Sequence, residues 1–170
     1  MSGSDANNRL ALRPITDEDS SFLYQLYAST RAGEMALVDW SEVQKQEFLH
    51  MQFHAQTKFY ADEFSDASFD VIELEGEPVG RLYVDVRDSE IRIIDIAILP
   101  GFRGRGIGNH YLRQVMDRAA EKGLDVGIHV ERSNPAMSLY QRLGFEKIED
   151  KGVYWFMLWR VGSRQENTAS

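Results

Sequence analysis

The sequence predicts an α/β (α+β) fold in which a mixed, mainly antiparallel sheet is flanked by helices and contains one central strand-helix-strand crossover. Hydrophobic residues alternate with a period of two in the runs SFDVIELE, VGRLYVDVR and EIRIIDIAIL, which favours an antiparallel meander. The next run, GNHYLRQVMDRAAEKGL, has helical periodicity, and DVGIHVE after it reads as a strand again. A strand, a helix and a further strand in this order indicate the crossover.

The N-terminal third predicts one strand and two helices. RLALRPI reads as a strand, and Thr16 caps a helix that ends near Thr30. RAGEMALVDW reads as a loop that exposes Trp40, and Ser41 caps a second helix, which we expect to break near its end. The hydrophobic residues of this second helix recur at roughly helical spacing: Val43, Phe48, Met51, Phe53 and Phe59.

The C-terminal part predicts two further helices and two closing strands. Gly123 is placed to end the first of these helices in a left-handed cap. NPAMSLYQRLGF reads as a helix capped by Asn134, with Pro135 at its first position and Gly144 at its end. The aromatic run VYWFMLW alternates as a terminal strand does, and a homodimer face is the alternative use for it. One stripe of the long helix is predicted to be buried: Ile107, Tyr111, Leu112, Val115, Met116 and Ala119.

Composition restricts the function. The 170 residues fit a single domain, which we place at residues 9–160 with flexible ends at 1–8 and 161–170. Without cysteine there is no disulfide or thiolate nucleophile, which agrees with a cytoplasmic location. A net charge of −8 argues against nucleic acid as a partner, and no apolar run is long enough to span a membrane. His50 and His54 lack the glutamate of a zincin motif, so we expect no metal.

The stretch RGRGIG predicts an anion site. It lies between a strand that ends near Pro100 and a helix that begins near Gly106, where the first N–H groups of the helix lack partners. Glycines allow close approach of a ligand, and arginines with the helix dipole attract phosphate or pyrophosphate. A glycine-rich turn with solvated arginines is the alternative interpretation. The segment consists of Arg103, Gly104, Arg105, Gly106, Ile107 and Gly108.

The spacing in this stretch excludes two nucleotide-binding loops and matches a third pattern. The P-loop needs a Gly-Lys-Ser/Thr end, and the dinucleotide fingerprint needs glycine where Asn109 or Tyr111 stands. Arg-x-x-Gly-x-Gly after DIAILPGF, with NPAMSLYQRLGFE about thirty residues on, resembles the GNAT superfamily of N-acetyltransferases. The resemblance extends from Leu10 to Trp159, but it holds residue by residue only from Asp95 to Phe145. Outside that range only the type of element matches, as with the N-terminal helices.

The resemblance implies acetyl-CoA as cosubstrate. Backbone N–H groups of residues 103–108 would hold its pyrophosphate, and the strand edge at Ile96, Ala97 and Ile98 would pair with the pantetheine amides. Asn134 would contact the cofactor, or would serve only as a helix cap.

The resemblance also implies a catalytic residue. Tyr140 occupies the position of the general acid that protonates the departing thiolate, and a packing tyrosine is the alternative. A backbone N–H near Ala97 or Ile98 would stabilise the oxyanion. The acidic residue that some members carry early in this strand falls on or near Arg92 here, so the sequence departs from the pattern. Asp95 is a candidate base, or pairs with an arginine or faces solvent, and deprotonation through water needs no base.

The acceptor is expected to be a primary amine of a small molecule or peptide. Glu34 and Asp39 would bind a cationic amine, and Trp40 and Tyr83 would line the same pocket; for each, a surface or packing role is the alternative. The predicted function is therefore N-acetyl transfer from acetyl-CoA by direct attack. The alternatives are a non-catalytic acyl-CoA-binding sensor and an anion-binding module without cofactor.

Overall fold

The protein is described here by a computed structural model, which covers residues 9–162. The strands of this part are β1 (Leu10–Pro14), β2 (Ser68–Leu74), β3 (Glu77–Val86), β4 (Glu90–Ile98), β5 (Asp125–Glu131), β6 (Glu146–Asp150) and β7 (Tyr154–Trp159). Its helices are α1 (Ser20–Thr30), α2 (Ala32–Ala36), α3 (Glu42–Glu63), α4 (Ile107–Lys122) and α5 (Met137–Arg142). None of these helices is long and apolar enough to cross a bilayer.

The strands form one mixed sheet, which confirms the predicted fold class. Their order is β1-β2-β3-β4-β5-β7-β6. β1 and β2 pair antiparallel, as do β5 with β7 and β6 with β7, whereas β4 and β5 are parallel. The connection from β4 through α4 to β5 is the predicted central crossover. A two-residue turn at Glu75 and Gly76, both with positive φ, joins β2 to β3.

The chain divides into two compact units. Within the described range, the first unit contains residues 9–81 and 97–105, and the second contains residues 82–96 and 106–162. The single domain over residues 9–160 stays a prediction. The predicted flexible ends fall mainly at residues 1–8 and 163–170, which lie outside the described residues. Just before the second of these ranges, the Val161 N–H donates to Asp125 Oδ1 at 3.0 Å.

The first unit packs α1 against α3. Its buried cluster consists of Leu23, Tyr27, Leu49 and Phe53. The loop predicted before Ser41 contains the short helix α2, and Trp40 is exposed as expected. The predicted break in the second helix is wrong, since α3 runs without interruption to Glu63. Much of its hydrophobic pattern is exposed rather than buried: Val43, Met51 and Phe59.

The second unit buries the helix stripe that the sequence predicts. All six stripe residues of α4 are buried, and Gly123 ends the helix with a φ of 68°. The start predicted for the last helix is wrong, because α5 begins at Met137 and has Ala136 as its N-cap. Asn134 instead accepts a hydrogen bond from the Ala136 N–H at 2.8 Å and closes the turn before the helix. Gly144 has a φ of 104° and follows the helix end as predicted.

Candidate active site

The predicted anion-binding stretch lies between β4 and α4. The strand ends at Ile98, and a 3-10 turn over Pro100–Phe102 leads into the stretch. Gly104 and Gly106 have φ values of 76° and 82°, a conformation that favours glycine. Gly106 is the N-cap of α4, so this part of the sequence folds as expected. Only the predicted end of the strand, Pro100, lies two residues beyond its observed end.

Both arginines of the stretch are exposed and are held by neighbours in the first unit. Arg103 Nε donates to the Ile98 carbonyl oxygen at 3.0 Å. Its two terminal nitrogens have no hydrogen-bond partner among residues 9–162. The Arg105 guanidinium lies over the Phe102 ring, 5.0 Å from the ring centroid. These contacts fix two positive charges without neutralising them, so both remain able to attract an anion.

The first turn of α4 offers backbone donors. The first N–H that bonds back within the helix is that of His110, which donates to the Gly106 carbonyl at 2.9 Å. No side chain among residues 9–162 caps the turn, and the turn contains no acidic residue. The preceding N–H groups are thus available at the positive end of the helix dipole. Ile107 contributes only its backbone to this surface, because its side chain is buried.

Gly108 shows that the surface of this turn is open. Its φ is not positive, so its conformation does not require glycine. A Cβ atom placed on it would meet no described atom within 4 Å, apart from the adjacent backbone of its own helix. Packing against the described residues therefore gives no reason for the missing side chain. A glycine here does allow a phosphate to approach the backbone, so the residues present fit a pyrophosphate group.

The parallel ladder between β4 and β5 is short. Its register runs from Glu90↔Asp125 to Ile93↔Ile128 and ends there. β4 continues to Ile98 and β5 to Glu131, and β5 remains paired with β7 over this stretch. The candidate residue Ile96 therefore lies beyond the end of the ladder, where the edge of a strand can accept an extended ligand.

The other edge of β4 is held very close to β3. The Leu99 N–H donates to the Val79 carbonyl at 2.8 Å. At Gly80, an added Cβ would lie only 2.4 Å from the Ala97 carbonyl oxygen. Gly80 thus allows the backbone approach that positions Ala97 and Ile98. Sequence reasoning missed this glycine, whose only signal was its place inside a strand.

Tyr140 lies on α5 and is only 4% exposed. Its ring packs edge-on against Phe145, with the ring centroids 6.0 Å apart. Burial raises the pKa of its phenol well above the usual value, and the negative charge of Asp95 raises it further. The phenol therefore keeps its proton at neutral pH, as a proton donor must. Asp95 and Tyr140, two predicted site residues, interact within the second unit.

Arg92 stands where the resemblance would place an acid. Its guanidinium donates to both carboxylate oxygens of Glu90, at 3.0 and 3.2 Å, and lies over the Phe156 ring at 4.9 Å. His129 packs on the same ring, with the centroids 5.1 Å apart. Burial lowers the pKa of His129, and the charges of Arg92 and Lys151 lower it further.

The predicted acceptor residues are divided between the units. In the first unit, Glu34 accepts a hydrogen bond from Arg31 at 2.9 Å, and Trp40 packs edge-on against Phe48. A shallow cavity of about 470 Å³ lies on α3, lined by Glu42, Val43, Gln46, Glu47 and His50. Tyr83 and Asp95 belong to the second unit, where Tyr83 is buried. Residues 9–162 contain no group of three metal-ligating side chains.

Known proteins share both the sequence pattern and the fold. Residues 30–145 match the model of the acetyltransferase (GNAT) family. An uncharacterized N-acetyltransferase of Methanocaldococcus jannaschii is 28% identical over 148 residues, which are 81% of this chain and 61% of that protein. The bS18-alanine N-acetyltransferase of Haemophilus influenzae is 33% identical over 68 residues, 39% of this chain and 47% of that protein. The chain thus spans between about half and three fifths of these relatives.

The fold also matches a solved structure. The PaiA N-acetyltransferase of Thermoplasma acidophilum, determined in complex with coenzyme A, superposes with a TM-score of 0.67. The match covers 89% of this chain and 98% of that one at 16% sequence identity.

Proposed function

This chain belongs to the acetyltransferase (GNAT) family, and we propose that it transfers the acetyl group of acetyl-CoA to a primary amine of a small molecule or peptide. The observation that carries the proposal is the uncapped, glycine-lined N-terminus of α4, flanked by two arginines whose charges are not neutralised. A pyrophosphate needs backbone donors and positive charge at one place, and this turn offers both.

The cofactor would be held mainly by backbone. Amide groups of Arg103 to Gly108 bind the pyrophosphate, and the arginine side chains add charge. The strand edge at Ile96, Ala97 and Ile98 pairs with the pantetheine amides, for which the early end of the β4–β5 ladder is the support. Asn134 contacts the cofactor with its NH₂ group, because its Oδ1 already accepts from Ala136.

The reaction proceeds by direct attack. The amine nitrogen bonds to the thioester carbonyl carbon, and the carbon–sulfur bond then breaks to release the CoA thiolate. A backbone N–H near Ala97 or Ile98 stabilises the oxyanion. Tyr140 donates a hydrogen bond and then its proton to the thiolate. Burial and the charge of Asp95 raise the pKa of this phenol, so it keeps its proton until the thiolate forms beside it, and water returns a proton to the tyrosinate after the transfer.

The amine must lose a proton before or during the attack. Arg92 cannot accept it, because a guanidinium stays charged and this one is bound to Glu90. We propose that the proton leaves through water, with Asp95 as the carboxylate that assists. Asp95 suits this role because its charge already acts on Tyr140 in the same unit.

The acceptor is proposed to be a cationic amine. The short helix α2 and the loop after it carry Glu34 and Asp39, and Glu42 and Glu47 follow on α3, so this part of the chain is rich in carboxylates. The exposed Trp40 adds an apolar surface beside these carboxylates in sequence. One relative is named for an alanine of a ribosomal protein, which supports a peptide acceptor, and the net charge of −8 of this chain favours a basic one.

Isothermal titration of the purified protein with acetyl-CoA tests the proposal, with CoA and ATP as controls for generic anion binding. Saturable binding of acetyl-CoA and CoA but not ATP is expected. Thiol release is then measured with small amines and with a basic peptide that carries an N-terminal alanine. Binding without release with any amine would favour an acyl-CoA sensor instead. Absence of binding would refute the cofactor and the enzyme together.

A further inference from the structure

Arg132 connects the segment between β5 and α5 to the turn between β6 and β7. Its backbone N–H donates to the Val153 carbonyl at 3.1 Å, and its Nε donates to the Gly152 carbonyl. The guanidinium also forms an ion pair with Asp150 and lies 4.5 Å from the centroid of the Trp155 ring. One side chain thus makes three different kinds of contact with a single hairpin.

The conformation of the β6–β7 turn fixes the groups that bind Arg132. The Gly152 N–H donates to Asp150 Oδ1 at 2.9 Å, which fixes the carboxylate that Arg132 binds. The arginine in turn lowers the pKa of Asp150, so the pair stays charged at neutral pH. Gly152 has a φ of 85°, a backbone conformation that residues other than glycine rarely adopt, and its carbonyl accepts from Arg132 in this conformation. The ion pair alone is exposed and would contribute little, but the contacts together restrain the side chain.

A short chain of hydrogen bonds leads from Glu131, the residue before Arg132, to Tyr140. The Asn134 N–H donates to the Glu131 carbonyl at 3.0 Å, and Asn134 Oδ1 accepts from Ala136 at 2.8 Å. The Tyr140 N–H then donates to the Ala136 carbonyl at 3.1 Å. The segment from Arg132 to Ala136 has no regular secondary structure, and its contact with the hairpin adds a long-range restraint to these local hydrogen bonds.

We propose that Arg132 is a positioning residue: by holding the segment that precedes α5 against the β6–β7 turn, it fixes Asn134 and the start of the helix that carries Tyr140. Arg132 does not touch the reacting atoms. The proposal rests on the proposed function of Tyr140 and Asn134, and it identifies the contact that keeps these two residues in position. The effect on the backbone is nevertheless measurable without substrate.

The test compares Arg132→Gln with Arg132→Lys and with the control Arg160→Gln. Arg160 forms an exposed ion pair with Glu146 in the same hairpin, at 3.9 Å, and makes no described contact with the segment before α5. In the absence of ligand, amide hydrogen exchange of residues 134–140 should become at least about tenfold faster in Arg132→Gln, while α4 and the control stay as in the wild type. Lysine keeps a cation near Asp150 and Trp155 but lacks the Nε hydrogen bond, so Arg132→Lys should be intermediate.

Catalysis provides the second readout. With acetyl-CoA and the alanine peptide, Arg132→Gln should lower kcat about tenfold or more and weaken acetyl-CoA binding less than about threefold. Unchanged exchange in Arg132→Gln would overturn the proposal, as would a fall in kcat without faster exchange. If Arg132→Gln does not fold, the same criteria apply to Arg132→Lys. A third result separates the two proposals. If the wild type transfers no acetyl group but hydrogen exchange is faster in Arg132→Gln, the proposed function is refuted while the restraint by Arg132 is established.

Discussion

Replacing Gly80 by alanine should displace the strand that carries the proposed pantetheine site. The new Cβ would lie 2.4 Å from the Ala97 carbonyl oxygen and 2.9 Å from Ile98 Cδ1. A carbon and a carbonyl oxygen normally stay about 3.3 Å or more apart, so β4 has to move by about 1 Å at Ala97. Overpacking of this kind costs about 1–3 kcal/mol, of which alanine recovers about 0.5–1 kcal/mol by reducing the flexibility of the unfolded chain.

The change should therefore lower the free energy of unfolding by up to about 2.5 kcal/mol and weaken acetyl-CoA binding by about tenfold or more, because the amides that bind the cofactor shift with the strand. Urea unfolding and isothermal titration measure the two effects. Gly33→Ala is the matched control, since no described atom beyond its adjacent residues and its own helix backbone lies within 4 Å of its Cβ position, and alanine is favoured in a helix. Wild-type stability and affinity in Gly80→Ala would refute the argument that β3 positions β4 at this point.

Three further changes test the remaining assignments. Gly106→Glu should abolish acetyl-CoA binding that titration can detect. The control is Gly76→Glu, since Gly76 has nearly the same φ, 83°. It should lose as much free energy of unfolding as Gly106→Glu but bind acetyl-CoA as the wild type does. Tyr140→Phe should lower kcat about 10²-fold or more and change acetyl-CoA affinity less than about threefold; equal losses would indicate a packing role. Two hydrogen bonds from Arg13, at 2.8 and 2.7 Å, lower the pKa of Asp19 from 3.8 to about 2. Because the folded pKa is below the unfolded one, this stabilisation is complete above about pH 4 and is lost as the pH falls toward 2. Asp19→Asn should therefore lower the free energy of unfolding by at most about 2 kcal/mol at pH 7 and by almost nothing near pH 2, as urea unfolding at several pH values would show.

The sequence predicted best where a local pattern alone determines the structure. The stripe on α4 and the left-handed cap at Gly123 depend on residues within a few turns of one helix, and both were confirmed. The exposure of Val43 and Met51 on α3 was not predictable, since helical spacing does not say which face another element covers. The start of α5 was misplaced because an Asn-Pro pair suits a turn as well as a helix cap.

Contacts between segments far apart in sequence were beyond prediction. Gly80 reads as an ordinary strand glycine until Ala97, seventeen positions later, is seen beside it. Arg132 likewise contacts Asp150 and Gly152, about twenty residues later in the chain, and no sequence motif predicts this contact. For the site, sequence reasoning supplied the residue types and the resemblance, whereas the support for the proposed roles comes from burial and from backbone geometry.

The early end of the β4–β5 ladder also has a consequence for aggregation. A strand edge at the border of a sheet can pair with another protein molecule, and proteins usually protect such edges. Here the ladder stops inside the sheet, with β3 on the far side of β4 and β7 on the far side of β5. The place where this ladder ends is therefore not at the border of the sheet, and a strand of another molecule cannot add to it as it could to the border strands β1 and β6.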